Sequence, residues 1–230
     1  MTKTKTMRKS KNLARSLLVA SVLTSGLAVK INYAEDVDRT PHGAVEFMTG
    51  NQSSVLDTKV FGSLTEKAGY FGRAITTLDY EAKMVNPFAF IDVNYKVGAG
   101  FNFVYETQFI DLQDGTLITP RVGFETFRDL GSDLSLYLMG SVNVPTDRDP
   151  LVNGELVSTL RYSPSLGKGY NAVAQIEAVT NFGEQGLNFA SQNFRLGINH
   201  GSFEVGAALN LNETMQETSH NIGGYFSWSY

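Results

Sequence analysis

Nine charged residues, Arg73, Asp92, Glu106, Arg121, Glu125, Arg161, Glu177, Arg195 and Glu204, each stand one residue away from apolar or small neighbours, in segments that alternate with a period of two. Lys59, Lys96, Glu46, Asp79, Glu81 and Glu155 follow the same rule. At that period the charges share one face of an extended chain and the apolar residues share the other. In a dry core an unpaired charge costs several kcal/mol, so such a face needs water or partners. Its chemistry is electrostatic: side chains lining a wet lumen, setting its width and a transverse field that discriminates solutes. Catalysis has less to work with. The histidines are His42, His200 and His220, and only His220, beside Ser219, sits where it could serve a nucleophile as base. Adjacent strand residues point to opposite faces, which separates that pair. There is no cysteine, no Cys/His metal spacing and no phosphate-cradling glycine loop, so no catalytic, cofactor-binding or metal residue is assigned.

The elements that must position these charges are strands. The region after residue 34 has no long apolar run but many alternating segments. The clearest is 133–144, where Leu134, Leu136, Leu138, Val142 and Val144 oppose Ser135, Tyr137, Met139, Ser141 and Asn143. Others cover about 70–81, 87–97, 100–110, 117–127, 154–163, 170–181, 190–199, 202–211 and 221–230, with weaker ones at 43–49 and 58–65. Pro120 is awkward within its segment, because proline cannot donate to a ladder. Most segments reach the roughly 9–11 residues a bilayer-crossing strand needs, against about 5–6 for an average soluble strand. The count is about 12, an even number as bacterial single-chain barrels require. Ten is the alternative, should the two weak segments not span.

The last ten residues are the most specific. Ile222, Gly224, Phe226, Trp228 and Tyr230 alternate with Asn221, Gly223, Ser227 and Ser229, and Tyr225 breaks the pattern. A closing strand that ends on an aromatic residue, with Phe226 and Trp228 before it, resembles bacterial outer-membrane β-barrel proteins of the small porin type. In that family this strand is the address read by the barrel-assembly machinery. The amino-terminal end agrees. Lys3, Lys5, Arg8, Lys9, Lys11 and Arg15 precede an apolar stretch from Leu17 to Val29, too short to span a membrane as a helix. The pattern is that of a secretory signal peptide, with Ala28 or Ala34 as the cleavage end and Ala34 preferred. The expected organisation is residues 1–34 as signal peptide and 35–230 as one transmembrane antiparallel up-and-down β-barrel. Of 19 basic residues seven lie within 1–34, against none of the 23 acidic ones. The remainder is therefore strongly acidic, which argues against nucleic acid as a partner.

With both ends in the periplasm, the periplasmic turns should be short and the outer loops longer. Pro145–Gly154, Phe182–Phe189 and Asn212–Ser219 are the expected long ones. Tyr95, Phe101, Tyr162, Tyr170, Trp228 and Tyr230 should form a girdle at the periplasmic interface. Asp57, Asp111, Asp114, Asp147, Asp149, Glu184, Glu213 and Glu217 should make an acidic outer mouth, against Lys83 and Arg148. Such a mouth would enrich cations, or simply be solvated, or bind ions that bridge lipopolysaccharide. Oligogalacturonate channels of similar size use a strongly basic lumen, from which this mixed lumen departs. The expected function is passive diffusion of small hydrophilic solutes through the outer membrane, with lipid and the assembly machinery as further partners. The alternatives are a plugged or structural barrel, an outer-membrane lipid-modifying enzyme and a soluble secreted β-sandwich.

Overall fold

The computed structural model describes residues 40–230 apart from 82–84, 113–114, 148–150, 185 and 215–216. The expected signal peptide and the loop charges Lys83, Asp114, Arg148 and Asp149 lie outside the described residues. The chain forms thirteen strands: β1 (His42–Gly50), β2 (Ser53–Ser63), β3 (Ala68–Asp79), β4 (Val85–Gly98), β5 (Phe101–Leu112), β6 (Gly115–Asp129), β7 (Leu134–Asn143), β8 (Gly154–Tyr162), β9 (Ser165–Gly167), β10 (Tyr170–Gly183), β11 (Gly186–His200), β12 (Phe203–Thr214) and β13 (Thr218–Ser229). Each strand except β8 pairs antiparallel with the next, β8 pairs with β10, and β13 returns to pair with β1. The result is a closed ring of twelve strands. Three-residue β9 stands outside it, paired only with the start of β10. All twelve spanning segments, including the two weak ones, are ring strands, so the count of ten is excluded.

Closure is tight. Seven residue pairs join β1 to β13, from Ala44 opposite Ser229 to Gly50 opposite Gly223. Past them, Gly43 and Tyr230 exchange two backbone hydrogen bonds of 3.0 Å. Gly223 is needed here for its missing side chain: a Cβ would strike the carbonyl oxygen of Thr49 and the Cα of Gly50. At the opposite side of the ring Pro120 ends a ladder instead of interrupting one. Its carbonyl accepts from the Val144 amide, just beyond the last β6–β7 register pair, Arg121 with Asn143. The turn after β4 runs through Gly98, Ala99 and Gly100, all at positive φ, a conformation that glycine adopts freely.

The ring strands are nine to fifteen residues long, enough to cross a bilayer. No helix among the described residues is long and apolar enough to cross a membrane. The outward face is apolar: Phe47, Leu56, Tyr105, Phe124, Leu138, Val142, Leu156, Ile176, Leu196 and Ile222 are all exposed. Among the described residues, Asp, Glu, Lys and Arg occupy outward positions only near the rims. At the rim where β1 begins and β13 ends, Tyr95, Phe101, Tyr162, Tyr170, Trp228 and Tyr230 all point outward and exposed. This is the girdle the sequence suggested. A closed barrel with such an exterior sits in the bacterial outer membrane.

The loops differ from expectation. Strands β10 to β13 run on through residues assigned to long outer loops, leaving Glu184–Gln185 and residues 215–217 as the connections. Backbone pairing takes residues that composition alone had marked as loop. Of the outer connections only 144–153 is long.

Replacing an outward mid-strand residue with a charge tests the bilayer assignment. Leu138→Arg is expected to lower unfolding free energy in lipid vesicles by about 2–4 kcal/mol. The same change at Gln52, exposed in the β1–β2 turn, is expected to be nearly neutral. Urea titration of the refolded proteins makes the comparison.

Candidate functional site: the charged lumen

Inward positions of the ring hold the nine charges singled out in the sequence; Arg73, Arg161 and Arg195 reach carboxylates on non-neighbouring strands, and Asp92, Glu106, Arg121 and Glu125 stay on one wall. Arg73 on β3 bonds Asp57 on neighbouring β2 through Nε and Nη2, at 2.8–3.1 Å. It also reaches Glu177 on β10 at 3.2 Å. Strands β3 and β10 are six apart in either direction around the twelve-strand ring, hence on opposite walls. This one guanidinium therefore spans the lumen. Arg161 on β8 reaches Glu204 on β12 at 2.6 Å, and Arg195 on β11 reaches Glu46 on β1 at 2.9 Å. Each of these pairs lies three strands apart around the ring.

Neutral side chains hold the pairs in place. Tyr225 donates to Glu204 at 2.8 Å, and its ring carries the Arg195 guanidinium 5.5 Å from the centroid. The residue that breaks the pattern of the last strand is therefore an inward lumen residue. Arg195 also donates to Asn210, Arg161 to Gln175, and Asn193 to Glu177. Beside this network Met48, Ala208 and Tyr225 form a buried apolar cluster, with Val55 packed on it. It fills part of the lumen next to the closing strands.

On the wall formed by β4, β5 and β6 the charges sit deeper. Asp92, Glu106, Arg121 and Glu125 are all buried. Arg121 lies 3.7 Å from Glu106 and donates to Ser141 Oγ at 3.0 Å. Glu125 accepts from Asn102 at 3.0 Å and from the Tyr137 hydroxyl at 2.9 Å. At the far rim Asn143, Asn153, Asn181 and Asn188 form an amide ladder that ties the long 144–153 loop to β10 and β11.

Several sequence expectations are overturned. Asp57, assigned to an outer loop, lies inside β2, is 4 % exposed and binds both Arg73 and Lys59. Its strand was read as starting at 58, because Val55 and Phe61 share the inward face with Asp57 and Lys59 and blur the alternation. Glu81 falls in a turn after β3 and not on a strand. Tyr137, Tyr225 and the asparagine ladder went unassigned, since uncharged inward residues carry no signal beyond parity. Among the described residues no group of three or more acidic, histidine or cysteine side chains is placed to hold a metal ion. Ser219 and His220 occupy opposite faces of β13, His220 exposed; His200 stacks on Tyr170 at 4.3 Å, and His42 lies against Phe61.

No family model and no curated protein matches the sequence. Solved structures do. A NanC porin superposes with a TM-score of 0.50 at 8 % identity, covering 83 % of this chain and 99 % of that one. A KdgM porin gives 0.48 at 11 % identity, covering 82 % and 99 %. A bacterial polysaccharide outer membrane secretin gives 0.49 at 9 % identity, covering 85 % and 99 %. The fold is that of bacterial outer-membrane porins.

Removing Arg73 would strand two carboxylates. Arg73→Ala is expected to cost about 3–5 kcal/mol, the usual penalty for orphaning a buried ion-pair partner. Arg73→Lys should recover only part of it, because an ammonium cannot present a fork to Asp57 and reach Glu177 together. Denaturant unfolding of both variants reads the difference.

Proposed function

We propose that this porin-fold barrel is a passive diffusion channel for small hydrophilic solutes, narrowed by the side chains that cross its lumen. The observation that carries this reading is the half-wet state of the crossing network. The side chains of Arg161 and Lys59 keep 32 % and 27 % of their exposure, and Arg73, Glu177 and Glu46 keep 12–16 %, deep inside a closed ring. Water therefore reaches the charges on the β1–β3 and β8–β13 walls, while the β4–β6 wall is dry. Arg73, Asp92, Glu106, Arg121, Glu125, Arg161, Glu177, Arg195 and Glu204 are the proposed lining. Their role is to set width and the field across the path.

The second reading is a plugged barrel, and the Arg73–Glu177 contact across the full ring favours it. Planar-bilayer recording of the refolded protein separates the two. A channel gives discrete conductance steps in the wild type, and larger ones in Glu177→Ala, which opens the crossing while leaving Arg73 on Asp57. Silent membranes from protein shown to be folded and inserted would overturn the channel and establish the plug.

The solutes are the proposed partners together with outer-membrane lipid and the assembly machinery, whose address is Phe226, Trp228 and Tyr230. These three point outward, with Trp228 and Tyr230 rings 5.2 Å apart. A catalytic role is not proposed: Ser219 and His220 face opposite ways. Residues 1–34 are the proposed signal peptide. Intact-mass measurement of protein recovered from the outer membrane should give a chain beginning at Glu35. A chain retaining Met1 would refute cleavage.

A further inference from the structure

On one wall of the lumen the charges are interleaved with aromatic rings. His42 on β1, Phe61 on β2, Phe71 on β3, and Phe90 and Phe88 on β4 share the inward face with Arg73. Phe71 stands two residues before Arg73 on its own strand, and Phe90 is the cross-strand partner of Arg73. Phe61 is the cross-strand partner of Phe71, and His42 that of Phe61. Ring centroids lie 5.9 Å apart for His42 and Phe61, 5.6 Å for Phe71 and Phe90, and 5.9 Å for Phe90 and Phe88. The row is oblique. It begins at His42, the first residue of β1, at the periplasmic rim, and ends at Phe88, near the outer end of β4. It therefore climbs most of the height of the barrel.

These rings do more than fill the interior. The lumen residues that fill space are sealed, Met48 at 0 % and Tyr225 at 3 % exposure. Phe61 is 44 % exposed, and Phe71, Phe88 and Phe90 are half-buried. An inward side chain of a closed ring can be exposed only to the lumen or its mouth, so apolar ring faces are presented to water there, which is unfavourable until a solute covers them. Beside them Lys59 and Arg73 supply hydrogen-bond donors whose charge is already met: Asp57 lies 3.2 Å from Lys59 and 2.8 Å from Arg73, and Glu177 lies 3.2 Å from Arg73. Lys96, at the periplasmic end of β4, donates to the Glu66 carbonyl at 3.1 Å. Asp92, which also flanks Phe71, is buried and out of reach of a solute.

We propose that this row is a track for neutral linear oligosaccharides. This rests on the channel reading above. A pyranose has faces of C–H bonds, which the negative face of an aromatic ring attracts, and a rim of hydroxyls, which accept from guanidinium and ammonium and donate to carboxylates. A hydrocarbon would cover the rings but desolvate the neighbouring charges. An acidic sugar would have to displace the carboxylates that already hold Lys59 and Arg73. A linear chain of sugars can lie on several rings of the row at once, where a single sugar covers one.

The experiment is blockade of single-channel current in planar bilayers containing the refolded full barrel. The probes are maltose, maltotriose and maltohexaose, compared with hexagalacturonate and with a polyethylene glycol of the same mass as maltohexaose. Residence times should lengthen from maltose to maltohexaose and exceed those of the glycol and of hexagalacturonate. Phe61→Leu and Phe71→Leu should each shorten the maltohexaose residence time about 2- to 10-fold, the size of one aromatic stacking contact. Phe61→Tyr should retain it, and Phe47→Leu, on the lipid face, should leave it unchanged. Heat-modifiable gel mobility verifies that each variant is folded. Conductance steps that maltohexaose does not interrupt would overturn the track while leaving the channel intact. So would residence times that the glycol or hexagalacturonate matches, or that both lumen leucine variants leave unaltered. Silent membranes would overturn track and channel together.

Discussion

Everything in this barrel depends on closure of the ring. In hydrocarbon no water is available to satisfy a strand's free edge, so each unpaired amide or carbonyl costs several kcal/mol. A sheet can cross a membrane only if its first and last strands find each other. Here β1 and β13 do so over seven residue pairs and a final reciprocal pair of hydrogen bonds between Gly43 and Tyr230. The small residues of the last strand follow from this. Gly223 lets the Thr49 carbonyl approach where any side chain would push the strands apart. Phe226, Trp228 and Tyr230 stay outside, where rings sit well between lipid tails and headgroups.

Closure also fixes the interior. Twelve strands enclose a space too wide for aliphatic side chains to fill from one wall and narrow enough for long side chains to meet from two. Arginine suits it, because its fork can hold one carboxylate on its own wall and another opposite. Arg73 does this with Asp57 and Glu177. Such pairs offset the cost of burying charge only when the geometry is good and the remaining donors are occupied. Gln175, Asn193, Asn210 and Tyr225 supply that occupation. The apolar cluster of Met48, Ala208 and Tyr225 closes the space that the ions leave near β13 and β1.

Much of this was legible in the sequence, for a physical reason. Period-two alternation assigns a face to each residue, so the twelve strands and the inward position of all nine charges could be read directly. β2 was read five residues late because its inward face mixes Val55 and Phe61 with Asp57 and Lys59. The expected loops are too long because Gly183 and Glu213 look like loop residues until a neighbouring strand pairs with the backbone there. Partners were not legible. Glu46 and Arg195 are 149 residues apart, and Arg73 and Glu177 are 104 apart. Which charge meets which is set by the stagger of the whole ring, and alternation carries no information about stagger.

The two faces of each strand answer to separate constraints, which explains why a fold can be shared at 8 % identity. The outward face must only be apolar and carry aromatics at the rim, and many residues meet that requirement. Strand pairing asks only for backbone. Nearly all of the individuality of such a chain is thus left to the inward side chains. A neutral exchange on the outside, Leu138 for Ile, alters nothing in the lumen. An exchange of Glu177 for Gln keeps the volume but changes the charge at the crossing that Arg73 makes. On the channel reading proposed above, choice among solutes is therefore concentrated in a small set of inward residues.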